Sequence, residues 1–176
     1  MANITVIGIG NPIMQDDAVG LAILRRLQGG SSDELAWVPS RSITPVLPSD
    51  EASDIRFVDG GTSGMELLPL IQDSENLIIL DALAGPGETG SVVTLVGDQI
   101  PRLLNSKLSP HQVGLLDLLS AARLLGREPA QVGVVGIVVG GTDLHVGMSP
   151  EVVAAIPKAA QSAQELINQW SVSTST

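Results

Sequence analysis

Short apolar runs rich in Val and Ile recur along this chain of 176 residues, each closed by Gly or Asp and most followed by a stretch with helical spacing. A run that is apolar at successive positions suits a strand buried on both faces, and strands alternating with helices predict a mostly parallel sheet. The runs lie at 3–9, 55–58, 76–80, 91–96 and 132–139, and the clearest is NLIIL at 76–80, which ends at Asp81. Helical spacing starts near Asp17 (Val19, Ala22, Ile23, Leu24, Leu27), returns near 63–71 and at 112–125 up to Gly126, and closes the chain at 150–170. The expected fold is therefore α/β: one three-layer domain over residues 1–170, with a mostly parallel twisted sheet of about five strands, helices on both faces, and a disordered tail at 171–176. Residues 31–54, with Pro39, Pro45 and Pro48, read as a long surface loop.

Composition narrows the chemistry. The apolar residues are almost all aliphatic, with one Phe, two Trp and no Tyr, so Val, Ile, Leu and Ala must fill the core. The absence of cysteine excludes disulfides, thiolate zinc sites, iron–sulfur clusters and a cysteine nucleophile. A formal charge of -10 without any cluster of Lys or Arg argues against a nucleic-acid partner. No apolar run reaches the roughly 20 residues that span a bilayer, and MANITVIGIG lacks a basic region and a cleavage site. A soluble cytoplasmic protein with no membrane partner is the expectation.

Function in open parallel sheets gathers at the carboxyl edge of the strands, which directs attention to residues 10–17, 59–64 and 81. The stretch G8-I-G-N-P-I-M-Q-D-D-A-V-G20 begins like a dinucleotide fingerprint, yet its third glycine position holds Ile13. Asp16 and Asp17 also put two carboxylates where a phosphate would dock. One of the two acids can serve as a helix cap, but two exceed what a cap requires. Asp81, after a buried strand, is either a turn residue or a carboxylate whose desolvation is offset by hydrogen bonds, a proton or a metal. Asp59, in D-G-G-T-S-G, has the same two readings. His111, in S-P-H-Q-V-G, is either part of a helix start or a scarce imidazole ligand, and His145 reads as structural or exposed. Two carboxylates and one imidazole with open positions would suit a borderline divalent ion such as zinc or nickel.

The segments V-I-G-I-G-N-P-I-M-Q-D-D-A-V-G, D-G-G-T-S-G-M-E-L-L, L-I-I-L-D-A and S-P-H-Q-V-G-L-L-D-L-L-S-A-A-R-L-L-G together resemble the hydrogenase maturation endopeptidases, from Asn3 to about Leu166. These peptidases remove a C-terminal extension from the large subunit of NiFe hydrogenases. The resemblance implies that Asp17, Asp81 and His111 are the metal-reading and catalytic residues. It assigns Asp59, Gly60, Gly61 and Thr62 to recognition of the precursor. Asp at position 17, where some relatives carry Glu, shortens the reach to a metal by one methylene. Loop 31–54 is longer than in compact relatives, and Val139-Gly140-Gly141 stands where many have a proline-containing segment. The implied metal is nickel carried by the large-subunit precursor, with zinc or cadmium able to occupy the site in vitro. A serine triad is disfavoured because no G-x-S-x-G elbow is present. The alternative from another class is a non-enzymatic nickel-sensing adaptor of hydrogenase assembly.

Overall fold

The computed structural model describes residues 2–10, 18–29, 55–61, 65–83, 87–97, 99–100, 118–139 and 149–173. Its elements are β1 (Ala2–Ile9), α1 (Val19–Leu27), β2 (Ile55–Gly61), a 3-10 turn (Met65–Leu67) running into α2 (Leu68–Gln72), β3 (Ser74–Leu83) and β4 (Val92–Val96). They continue with α3, whose described residues are 118–124, then β5 (Gln131–Val138) and α4 (Pro150–Ser173). The five strands, the number that the apolar runs predict, form one sheet in the order β2-β1-β3-β5-β4. The first four are parallel, and β4 lies antiparallel on β5 at the edge.

Alternation along each strand splits the core into two layers. Ile4, Val6, Ile78, Leu80, Val135 and Ile137 meet α1 and α4 on one face. Ile7, Val58, Leu77, Ile79, Val134 and Leu95 meet α2 and α3 on the other. The central strand β3 is buried on both faces over residues 76–83, which explains why its run is apolar at successive positions. Near the amino edge, the buried Thr5 and Ser74 hydroxyls hydrogen-bond to each other at 2.7 Å, and Arg56 Nη2 donates to Thr5 Oγ1 at 3.2 Å. These bonds satisfy polar groups that burial alone would penalise.

Three element ends run three residues past the sequence reading. β3 continues past residue 80 to Leu83, so Asp81 lies inside the strand rather than after it. β2 likewise runs through Asp59 to Gly61. Both extensions follow from pairing: Asp81 sits opposite Gly136 of β5, and Asp59 opposite Gly8 of β1. The last helix runs to Ser173, past the boundary expected at 170, with Trp170 buried against the sheet layer. Residues 31–54 and 174–176 lie outside the described residues. None of the described helices is long and apolar enough to cross a membrane.

Candidate active site at the carboxyl edge of the sheet

The strand order contains a switch point. From β1 the chain passes through α1 on one face to β2; from β2 it passes through α2 on the opposite face to β3, on the other side of β1. Connections that diverge in this way leave a crevice between the carboxyl ends of β1 and β3, the usual location of function in such sheets. Asp81 belongs to β3 at that level.

Its side chain is 2% exposed. By alternation it shares the α2 and α3 face with Leu77, Ile79 and Leu83. Its carboxylate Oδ1 accepts a hydrogen bond from the backbone N–H of Ala82 at 2.8 Å. An ionised carboxylate so far from water is costly unless cations or donors compensate it. A buried oxygen ligand at a strand-end crevice, in a chain without thiolate ligands, fits a divalent cation of borderline character.

Asp59 faces the other way. It pairs with Gly8, as does Leu80, and Leu80 belongs to the core layer under α1 and α4. Asp59 therefore stands on the α1 face, half-buried, while Asp81 stands on the α2 and α3 face. The two acids that look equivalent in sequence occupy opposite sides of the sheet. Gly60 is buried beside them, and a methyl group there would come within 2.8 Å of Ile7 Cγ2; Gly61 pairs with Ile9. Asp16, Asp17, Thr62, His111 and His145 lie outside the described residues. Among the described residues no three of His, Asp or Glu converge.

Two further features bear on Asp17 and were not legible as motifs. The N-cap position of α1 is Ala18, which makes no side-chain capping hydrogen bond. The seat a capping acid would take thus belongs to another residue. Gly20, in the first turn of α1, lies against the sheet so tightly that a Cβ would come within 2.2 Å of the Ile9 carbonyl oxygen and 2.3 Å of that of Leu80. The start of α1 rests directly on the ends of β1 and β3, at the carbonyl of the residue before Asp81. Gly20 closes the stretch from Gly8 to Gly20 in the sequence, but its close approach to the sheet was not legible there, because it depends on a distant strand that the chain reaches only at Leu80.

An α/β domain with a buried acid at its switch-point crevice defines the class of protein as one acting at the carboxyl edge of a doubly wound sheet. Comparison with known proteins then specifies it. The hydrogenase maturation protease family model matches residues 48–166. The hydrogenase 2 maturation protease of Escherichia coli K12 is 34% identical over 159 residues, covering 90% of this chain and 86% of that protein. The hydrogenase expression/formation protein HupD of Rhodobacter capsulatus is 29% identical, covering 96% of this chain and 73% of its own length. Among solved structures, the hydrogenase maturating endopeptidase HybD from E. coli superposes with a TM-score of 0.77 at 32% identity, over 95% of this chain and 93% of that one. The chain belongs to the hydrogenase maturation proteases, a family of peptidases.

Proposed function

We propose that this protein is an endopeptidase that removes the C-terminal extension of a NiFe-hydrogenase large-subunit precursor after nickel has been inserted. Asp17, Asp81 and His111 form the reading site, and the nickel arrives as part of the substrate. The observation that carries this reading is Asp81: a carboxylate 2% exposed at the switch-point crevice of a peptidase family member. Asp17 precedes Gly20 by three residues. Chain length therefore holds its Cα within about 11 Å of the Gly20 Cα, where α1 meets the carbonyls of Ile9 and Leu80. His111 precedes the helix α3, which packs on the same face as Asp81. These placements of the described neighbours support the assignment of Asp17 and His111 to the same site as Asp81.

The chemistry follows from charge. Two carboxylates offer oxygen ligands to a divalent ion, and neutral imidazole adds nitrogen. The nickel presented by the precursor completes its coordination on these three side chains, which orients the adjoining segment over the crevice. Held by these residues, the ion would supply Lewis acidity toward the peptide carbonyl or attacking water. Asp59, on the opposite face, contacts the precursor rather than the metal, and Gly60, Gly61 and Thr62 serve the same recognition. The reaction takes place in the cytoplasm, before the large subunit is complete.

His111→Ala tests the reading on purified nickel-containing precursor, with the mass of the large subunit as readout. Cleavage should fall by more than about a hundredfold, the scale at which loss of one electrostatic stabiliser usually registers. Full activity in this variant would contradict the assignment.

A further inference from the structure

Asp81 is flanked by an arrangement that its strand alone does not explain. Its direct neighbour on β5 is Gly136, on the same face of the sheet. A Cβ built at Gly136 would lie 2.5 Å from Leu83 Cγ, 2.6 Å from Leu83 Cδ1 and 2.8 Å from the backbone oxygen of Asp81. Leu83, two residues after Asp81 on the same strand, therefore leans back diagonally over Gly136. Its isobutyl group stands where a side chain of residue 136 would otherwise be. Leu83 is 3% exposed and belongs to the α2 and α3 core layer.

The consequence falls on the carboxylate. On the β5 side Asp81 meets a packed alkyl group. Beneath it lie Ile79 and Val134, paired across the same two strands. The β1 side is where Gly20 brings the start of α1 onto the edge, beside Leu80. An apolar wall on one side denies the carboxylate both room and hydrogen bonds there.

We infer that Leu83 and Gly136 are a positioning pair for Asp81: the glycine makes space for the leucine, and the leucine confines the carboxylate to the crevice between β1 and β3. This rests on the metal-reading role proposed above for Asp81. Neither residue touches the substrate; both act through the carboxylate. Gly136→Ala displaces Leu83 and crowds the Asp81 backbone, since the 2.5 Å approach falls well short of the roughly 3.5–4.0 Å of ordinary carbon contact. Leu83→Ala opens the wall. In the double variant the methyl group introduced at position 136 occupies the place vacated by the leucine, so part of the wall returns.

Calorimetric titration of the full chain with cadmium, with thermal unfolding recorded on the same samples, separates these effects. The wild-type chain should take up one cadmium, and Asp81→Asn should not. Each single variant should bind more weakly by about 10–100-fold, the usual cost of losing outer support around a metal ligand. The double variant should bind more tightly than Gly136→Ala alone, because only the approach to the Asp81 backbone oxygen then remains. A purely structural pair would lower the unfolding temperature and leave cadmium affinity unchanged, and that result, with Asp81→Asn still defective, would overturn the inference. Full uptake by Asp81→Asn, or none by the wild type, would instead contradict the metal reading on which the inference stands.

Discussion

At the level of single residues, Asp81 bears two opposing demands. The sheet buries it to 2% exposure among Ile79, Leu83 and Val134, while its charge requires compensation. Replacing the carboxylate with an amide keeps the volume and removes the charge. Asp81→Asn is therefore expected to unfold at the same temperature as the wild type or above it, because a charge held so far from water is a liability to the fold. Its processing of nickel-loaded precursor should nonetheless drop by more than about a hundredfold. Thermal unfolding and cleavage followed by mass check both halves of this expectation. A parallel fall in both would mean that Asp81 serves the fold instead. Asp59 separates from Asp81 by parity alone: one residue of alternation puts them on different faces, so variants at Asp59 should impair recognition of the precursor without touching cadmium uptake.

At the level of elements, the contact of α1 with the sheet is the tightest constraint on the site. Gly20→Ala would drive a methyl group into two strand carbonyls at 2.2 and 2.3 Å, neither of which can rotate away. Overpacking of this kind costs about 1–3 kcal/mol, and a chain of this size loses roughly 2–4 °C of unfolding temperature per kcal/mol. The shift of α1 should also weaken cadmium binding, because Asp17 directly precedes the N-cap residue Ala18 in the chain. Much of this layer was readable from the sequence. The strands β1, β3 and β5 announced themselves as apolar runs, since burial on both faces leaves no polar alternation to confuse. The ends were harder. Asp at 59 and 81 looks like a strand stop, and only the pairing partners Gly8 and Gly136 show that the ladder continues through them. Helix α4 outruns its expected end because packing around the buried Trp170, rather than the propensity of the Ser and Val that follow, carries it to Ser173. The antiparallel direction of β4 left no mark either, because an apolar run such as VVTLV does not encode which way it pairs.

For the molecule as a whole, the parallel sheet supplies a rigid frame, and its switch point decides where chemistry can occur. The candidate residues come from three separated parts of the chain, at 17, 81 and 111, so no local pattern can join them into one site. Topology brings the β1 and β3 ends together, and family membership provides the activity to which that edge is put. With a net charge of -10 and no cysteine, the chain offers carboxylate and imidazole ligands rather than thiolates, which suits a borderline divalent ion that the partner presents. The central claim is that cleavage depends on the nickel in the precursor. Purified protein should therefore be incubated with matched nickel-loaded and nickel-free large subunit, and the loss of the C-terminal extension followed by mass. The loaded precursor should be shortened and the nickel-free one left intact; equal cleavage of both would contradict the account.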